Sequence, residues 1–172
     1  MIEEKNDIEF IGGFSDYGAT GEGCYGSYKT GLYKISDSGG QTLTLQINFY
    51  NVAHAEAPCD ETDLNESFFS ELIPADYQLS WIKNDMTTVG IHYYDDKKNK
   101  SWSSIEKEQP NDKSFFTVEK TEFLGVDDSG KKLQKVEGEF SSYLYEYDFE
   151  TESVIDSIFI SNAKFVFRFI SE

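Results

Sequence analysis

The chain has 172 residues, with 32 acidic side chains against 15 Lys and Arg, so its formal net charge at pH 7 is −17. A field of this sign repels nucleic-acid phosphates and anionic membrane surfaces, which disfavours both as partners. The charge is compatible with a basic protein, a cation or no partner, and it also keeps a sheet-rich protein soluble. Aromatic residues make up 16% of the chain, which favours strands over helices.

The organisation of the chain favours one domain. We find no internal repeat and no linker, so residues 1–172 are predicted to form a single unit. Residues 1–7 are polar and acidic, which predicts an N-terminal tail and does not match a signal peptide. A mature secreted domain with an added Met would begin in the same way. The longest apolar runs are strand-sized, so no transmembrane helix is expected.

The first third of the chain contains a short strand, a glycine-rich segment and a hairpin. Residues 8–11 are a strand candidate, and the glycines of residues 12–26 predict a loop. Strands at residues 32–36 and 42–50 flank an Asp-Ser-Gly-Gly turn. The second of these strands alternates apolar with polar residues, which is typical of a half-buried strand.

Residues 51–76 interrupt the strand pattern and are predicted to form an insertion. Within them, residues 62–73 are compatible with a short helix that ends before Pro74, and Leu64, Phe68 and Leu72 would then share one face. The alternative is a long irregular connection between sheets, which is uncommon in compact domains.

Strand patterns dominate the remainder. In residues 133–147, polar residues alternate with Val136, Gly138, Phe140, Ser142 and Leu144, which predicts one face toward a core. Asn162 loosens the alternation of the last strand and is expected to bend it. About eight strands with one insertion predict an all-β fold: an antiparallel β-sandwich or a small barrel. The further strand candidates are residues 77–81, 89–94, 115–124 and 154–170.

No catalytic motif is present. The chain has two histidines, His54 and His92, and neither has a nucleophilic serine at a spacing typical of a triad. The cysteines and histidines do not follow the paired spacing of zinc sites. Carboxylates are abundant along the whole chain, so no pair can be assigned to glycoside hydrolysis.

One acidic segment has the ligand type that calcium prefers. Asp60, Glu61, Asp63 and Asn65 place carboxylate and amide oxygens within a few residues of one another. The segment lacks the central glycine and ordered spacing of an EF-hand loop. A solvated acidic loop is therefore the alternative to a calcium site.

The two cysteines, Cys24 and Cys59, both lie in segments that read as loops. In an oxidising compartment they could form a disulfide that stabilises the fold by about 3–4 kcal/mol. In a reducing compartment they would be free thiols.

Aromatic side chains are the strongest indication of a binding surface. Tyr143, Tyr145 and Tyr147 share one face of their strand, opposite Phe140 and Leu144. Tyr offers apolar area with a polar tip, which suits sugar stacking or a protein contact. The alternative is cross-strand stabilisation, or burial of both faces. Four further aromatics are predicted to extend the patch: Trp81, Tyr93, Tyr94 and Trp102.

The C-terminal third resembles small uncharacterised β-domains of bacterial envelope lipoproteins. The resemblance rests on Val136-Glu-Gly-Glu-Phe-Ser-Ser-Tyr-Leu-Tyr145 and Ile158-Phe-Ile-Ser-Asn-Ala-Lys-Phe-Val-Phe167, with Ala163 where those domains usually have Gly. It implies an exported β-sandwich that is lipid-tethered in its precursor, and it supplies no catalytic residues.

Three functional hypotheses follow from the sequence. The first is a non-catalytic domain of the cell envelope or exterior that binds a glycan or protein through the aromatic surface. The second is an acidic inhibitor or immunity-type protein, in the cytoplasm or outside it, that neutralises a basic partner. The third is a hydrolase with two catalytic carboxylates. No cofactor is implied beyond the calcium considered above.

Overall fold

The structure is a computed structural model. It describes the backbone of residues 11–19, 23–35, 42–56, 67–68, 70–80, 87–95, 98–105, 109–110 and 113–170. Side chains are described for residues 46–50 and, from residue 67 to residue 169, for the ranges given above. The predicted tail at residues 1–7 lies outside these ranges.

The fold is all-β, as predicted, and its strands are mostly antiparallel. Within the described residues, eight strands have four or more residues, and β4 and β5 have two each. In chain order the strands are β1 (Ile11–Ala19), β2 (Gly23–Ile35), β3 (Thr42–Glu56), β4 (Ala75–Asp76), β5 (Gln78–Leu79), β6 (Thr88–Asp95), β7 (Lys100–Ser103), β8 (Phe115–Val126), β9 (Lys132–Asp148) and β10 (Ser153–Ile170).

The strands form two layers. Their order is β10-β1-β2-β3-β6-β7-β9-β8-β4, and β9 also pairs with β10 along its length. Strands β1, β2, β3, β6 and β7 make one layer, and β8, β9 and β10 make the other. Among the described residues, the layers are joined by one residue pair between β7 and β9 and by two pairs between β1 and β10. These narrow joins and the core between the layers give a sandwich-like arrangement.

Aromatic rings fill the space between the layers. The ring of Phe49 on β3 lies 5.7 Å from that of Phe116 on β8 and 6.1 Å from that of Phe169 on β10. All three side chains are buried. Edge-to-face pairs of this kind contribute about 0.5–1.5 kcal/mol beyond the area that they bury. The core therefore depends on residues of both layers.

The predicted alternation of β9 is confirmed. Val136, Phe140 and Leu144 are buried at 1% exposure or less, and the lysine and glutamates between residues 135 and 139 are only partly covered. Even-numbered residues of β9 therefore face the core, and odd-numbered residues form an outer face.

Residue 138 must be glycine, because atoms of β8 and β10 approach it closely on the core side of β9. It pairs with Phe165 of β10 and with Val118 of β8. A Cβ at Gly138 would lie 2.6 Å from Cζ of Phe165 and would collide with the carbonyl oxygen of Thr117. The Phe165 ring thus fills the volume that a side chain at residue 138 would occupy, and it covers a glycine that would otherwise weaken the strand.

A bulge divides β10, as the loosened pattern at Asn162 predicts. Ile160 pairs with Ser142 and Ala163 with Phe140, so residues 161 and 162 together oppose Ser141. Asn162 adopts a φ of 50°, and its backbone N–H donates to Ser141 Oγ at 2.9 Å. Asparagine is one of the few non-glycine residues that tolerate this left-handed conformation.

The bulge explains why β10 looks apolar on both faces in the sequence. Before the bulge, the even-numbered Ile158 and Ile160 pack against the core. After it, the odd-numbered Phe165, Phe167 and Phe169 do so. The extra residue of the bulge shifts the core-facing positions from even to odd numbers. The side chains at these positions still point to the same side of the ribbon.

The predicted insertion is shorter than the sequence indicates. Strand β3 continues to Glu56, and β4 occupies residues 75–76. Residues 67, 68, 70 and 71 are helical, and Phe68 and Leu72 are both buried, in line with the predicted shared face. Residues 57–66 lie outside the described part. The longer β3 is favoured because its backbone continues to pair with β2 as far as Glu56.

The glycine-rich loop predicted at residues 12–26 is wrong. Strands β1 and β2 occupy most of it and pair antiparallel from Gly13–Lys29 to Ala19–Cys24. Cys24 therefore lies in a strand and not in a loop. Glycine lowers strand propensity, but ladder hydrogen bonds to neighbouring strands outweigh that local preference.

Candidate functional site

The outer face of the β9–β10 ribbon carries a cluster of aromatic side chains near the Asp148 end of β9. Tyr143, Tyr145 and Tyr147 lie on this face, because odd-numbered residues of β9 point away from the core. Phe159 of β10 pairs directly with Tyr143, and Phe149 follows β9 in the turn. We call these five residues the aromatic patch.

Ring contacts hold the patch together. Tyr143 lies 4.5 Å from Phe159 and 6.2 Å from Tyr145 between ring centroids, and the two tyrosine rings are inclined by 14°. Tyr147 contacts Phe149 at 5.2 Å with an interplanar angle of 71°. The patch therefore consists of a three-ring group on the ribbon and a two-ring group at the turn.

Solvent reaches the members of the patch to different degrees. Phe149 is 78% exposed and Phe159 is 44% exposed, whereas Tyr145 is only 7% exposed. Burial raises the pKa of Tyr145, and the neighbouring Tyr143 adds to this effect. Tyr145 acts as a support for the patch, and the two phenylalanines offer most of its accessible ring surface. Val154 and Ile155 add exposed aliphatic area at the same end.

A tight turn positions Phe149 beside Tyr147. Asp148 Oδ1 accepts hydrogen bonds from the backbone N–H of Glu150 at 2.8 Å and of Thr151 at 3.3 Å. A hydrogen bond from the Thr151 side chain, together with these two backbone bonds, lowers the pKa of the Asp148 carboxyl. Glu152 completes the turn with a φ of 50°. The ionised form of Asp148 thus stabilises the conformation that presents Phe149.

The end of the ribbon that carries the patch is uniformly acidic. Residues 143–160 contain five carboxylates and no Lys or Arg: Glu146, Asp148, Glu150, Glu152 and Asp156. Glu146 accepts a 2.6 Å salt bridge from Lys100 of β7. Glu150 and Glu152 are exposed in the turn that carries Phe149, whereas Asp156 pairs with Glu146 and shares its face of the ribbon.

The gap in the sheet beside Tyr143 is closed by a side chain. On the β7 and β8 side of β9, Ser141 pairs with Phe115 and Tyr145 pairs with Ser103, but no strand residue of the described part pairs with Tyr143. The amide of Gln109 occupies this place. Its Oε1 accepts from the Tyr143 N–H at 3.1 Å, and its Nε2 donates to the Tyr143 carbonyl at 2.9 Å.

The same amide has its remaining hydrogen-bonding capacity filled. Nε2 also donates to the Ser104 carbonyl at 2.7 Å, and Oε1 also accepts from Ser114 Oγ at 3.0 Å. Gln109 therefore behaves as one peptide unit of a missing strand and fixes the backbone beneath the patch.

The predicted extension of the patch to Trp102 and Tyr93 is wrong. Trp102 is 4% exposed and belongs to the core, and Tyr93 packs against it with ring centroids 5.6 Å apart. Both lie on the core side of their strands, so neither can stack on a ligand at the outer face. Tyr94 is 36% exposed, and its hydroxyl donates to Asn99 Oδ1 at 2.9 Å on another surface. Trp81 lies outside the described residues.

The predicted calcium ligands Asp60, Glu61, Asp63 and Asn65 also lie outside the described residues, as does Cys59. The calcium site and the disulfide therefore remain predictions. In the part of the chain that the structure describes, we find no group of three or more metal-ligating side chains. The described residues likewise include no helix with the length and hydropathy that a membrane crossing needs.

His92 belongs to a hydrogen-bonded group on the outer face of the other layer. Asn48 Nδ2 donates to Tyr50 Oη at 3.1 Å, and Tyr50 Oη lies 3.4 Å from His92 Nε2. Burial raises the pKa of Tyr50, against the opposing effect of the Asn48 hydrogen bond. The phenol therefore stays neutral at pH 7, and these contacts link β3 to β6.

Sequence reasoning missed Phe149 and Phe159 as members of the patch. Phe159 could have been found by pairing the last two strands in register, which places it opposite Tyr143. For Phe149, the available indication was its position directly after Asp148, because aspartate favours turns.

The chain matches no protein-family model, no curated protein and no solved structure.

Proposed function

We propose that this protein is a non-catalytic binding domain that contacts a protein partner through the aromatic patch. The observation that carries the proposal is the exposure of Phe149 and Phe159 beside Tyr143 and Tyr147 on one surface. Large exposed aromatics are uncommon on a solvated sheet face, and contact surfaces between proteins are enriched in them.

A protein partner suits this patch better than a glycan. Sugar stacking needs accessible, roughly coplanar rings with polar groups around them. The coplanar pair of tyrosines includes the buried Tyr145, and the accessible rings of Phe149 and Phe159 have no hydroxyl. Val154 and Ile155 extend the surface with aliphatic area, which an apolar protein side chain can cover.

The proposal is tested by removing the accessible rings. The double variant Phe149→Ser/Phe159→Ser and the wild-type protein would be applied to printed arrays of purified proteins and of glycans. Affinity for ligands retained by the wild type is expected to fall by at least about tenfold in the variant, as for truncation of central interface residues. Circular dichroism would confirm that the variant is folded.

The matched control is Phe123→Ser/Leu124→Ser. These two side chains are 60% and 42% exposed at the far end of β8, so a similar apolar area is removed at another place. The control is expected to bind as the wild type does. Equal binding by the Phe149→Ser/Phe159→Ser variant would overturn the proposal, and ligands found only among the glycans would overturn its choice of a protein partner.

The second candidate is an acidic inhibitor that neutralises a basic partner. The net charge of −17 favours it, because complementary charge accelerates association with a cationic protein.

Export to a cell envelope with a lipid tether is part of the first proposal, and it rests on the sequence resemblance of the C-terminal third. Mass spectrometry of the protein isolated from its native membrane fraction would detect an N-terminal lipid if the tether is present.

A further inference from the structure

We propose that the partner presents basic and apolar side chains together, in an extended segment that lies across the aromatic patch. This inference rests on the proposed function of the patch and names the chemistry of what it binds. Its basis is the distribution of charge along the outer face of the β9–β10 ribbon.

Two exposed carboxylates of the turn beside the patch, Glu150 and Glu152, form no salt bridge with a basic side chain of the described residues. Both are exposed, and the sequence from residue 143 to 160 supplies no Lys or Arg. Asp156 pairs with Glu146 on the other face of the ribbon, where Lys100 interacts with it. Lys100 reaches this end of the ribbon, but its ammonium group is bound to Glu146 at 2.6 Å, and that hydrogen bond raises the pKa of Lys100. A cationic partner would supply the missing charge.

Beyond the bulge, the same ribbon balances its own charges. Lys135 forms a 2.6 Å salt bridge with Glu137, and Lys164 lies opposite Glu139 across the strand pair. A surface of alternating charge needs no partner to be solvated and soluble. The unbalanced acidity is therefore a local property of the patch and not only a consequence of the average composition.

Apolar contacts are needed as well as charge. Phe149 directly precedes Glu150 in the turn, and Phe159 and Ile155 are exposed on the part of β10 that follows this turn. A purely polar cation would leave these side chains in water, and a purely apolar segment would bury the carboxylates without compensation. A segment that combines Lys or Arg with aliphatic side chains satisfies both requirements.

Among the described residues, β10 pairs with β9 alone from Ser153 to Phe167, and the irregularity of this edge favours binding to the face of the ribbon. Register shifts between Val154 and Asp156 and between Ile160 and Ala163 break the regular hydrogen-bonding row of this strand. Bulges and charged side chains at an edge disfavour the addition of another strand. The partner segment is therefore expected to contact side chains of the outer face.

The test uses three synthetic twelve-residue peptides: Lys alternating with Val, Glu alternating with Val, and Lys alternating with Ser. Binding to the full chain would be measured by fluorescence anisotropy at 0.05 M and 0.5 M NaCl. We expect the Lys–Val peptide to bind at least tenfold more tightly than either other peptide. Its affinity should fall by about tenfold at the higher salt concentration, because ions screen exposed charges.

Two charge variants separate the local effect from the net charge. Glu150→Gln/Glu152→Gln removes two charges at the patch, and Glu119→Gln/Asp128→Asn removes two exposed charges from the β8–β9 hairpin. The first is expected to weaken binding of the Lys–Val peptide by about three- to tenfold, and the second by less than twofold. Equal effects of the two variants would overturn the inference, since charge would then act only through the whole molecule.

The remaining outcomes distinguish this inference from the function on which it rests. Equal binding of the Lys–Val and Glu–Val peptides, lost in Phe149→Ser/Phe159→Ser, would overturn the cationic partner and leave the patch as a binding surface. Lys–Val binding that survives Phe149→Ser/Phe159→Ser would overturn both. Failure to bind any of the three peptides, with array ligands still lost in that variant, would overturn the cationic partner alone.

Discussion

The two halves of the outer face of the β9–β10 ribbon share one backbone and carry opposite kinds of surface. Toward the turn at residues 149–152, the face is aromatic, and the turn itself carries the exposed Glu150 and Glu152. Beyond the bulge at Asn162, it holds three basic and two acidic side chains: Lys135, Glu137, Glu139, Lys164 and Arg168. Both halves cover the same core, and the exposed rings of Phe149 and Phe159 are not part of it. The difference is the reason for proposing that the aromatic half contacts a partner.

The largest effect is expected at Gly138, which lies beneath the charged half. Gly138→Ala should destabilise the protein by about 3 kcal/mol, because the new methyl group meets the Thr117 carbonyl and the Phe165 ring. Urea unfolding followed by circular dichroism measures this change. The control is Glu139→Ala, the next residue of β9, whose side chain lies on the outer face. It is expected to change the free energy of unfolding by about 0.5 kcal/mol or less. If Gly138→Ala unfolded at the same urea concentration as the wild type, the Phe165 ring would not lie as close to residue 138 as described.

A smaller loss is expected at Gln109, which supports the aromatic half. Gln109→Ala should cost about 2 kcal/mol, because it removes the acceptor of the Tyr143 N–H and one of the two side-chain donors to the Tyr143 carbonyl, the other being Ser142 Oγ. Hydrogen exchange should accelerate at the Tyr143 amide more than in the charged half.

The matched variant Gln109→Glu keeps the two acceptor positions and loses both donors. At pH 7 it should also be destabilised, because its carboxylate would face the carbonyls of Ser104 and Tyr143. Stability equal to the wild type would contradict the role assigned to the amide.

The boundary between the halves is tested at Asn162. Asn162→Ala should cost about 1 kcal/mol, because alanine is less favourable at a φ of 50°. Asn162→Gly should stay within about 0.5 kcal/mol of the wild type, because glycine adopts this conformation readily. Thermal unfolding of the two variants compares them directly. A larger loss for glycine than for alanine would indicate that the Asn162 side chain, and not its backbone conformation, holds the bulge.

The smallest effect is a pH dependence at the turn. The folded state lowers the pKa of Asp148 from its ordinary value of 3.8, so its ionised form favours folding. This stabilisation is fully present above pH 3.8 and is lost as the pH falls through the folded pKa. Asp148→Ala should be less stable than the wild type at pH 7, and the difference should shrink toward pH 2. A difference that stays constant over this range would contradict the assignment.

The sequence predicted the parts of the fold that depend on local alternation. In β9, Val136, Phe140 and Leu144 follow a period of two, and the strand and its core face were both correct. The sequence does not show which face of the sheet Tyr93 and Trp102 occupy, because the pairing of their strands with neighbouring strands determines that face. They face the core because their register follows that of the buried Ile91 and Val89.

The candidate site was predicted in part for the same reason. Tyr143, Tyr145 and Tyr147 share a face by alternation alone, and this much was visible in one strand. Phe159 joins them through a pairing that spans the turn, and the accessible surface at Phe149 depends on the conformation of residues 149–152. The closure by Gln109 depends on a loop side chain that reaches Tyr143 across 34 positions of the sequence.

The bulge at Asn162 also determines how β10 tolerates changes in length. Residues 161 and 162 oppose the single Ser141, so the strand holds one residue more than a regular ribbon needs at this point, and Ile155 is a second extra residue nearer the turn. A deletion of Ser161 would leave Ile160 and Ala163 facing the core as before. A deletion of one residue between 164 and 168 would instead turn part of the phenylalanine row toward solvent. A single-residue deletion scan, read as the yield of soluble protein, should therefore show permissive positions at the two register shifts, at residue 155 and at residues 161–162, and intolerance between residues 164 and 168.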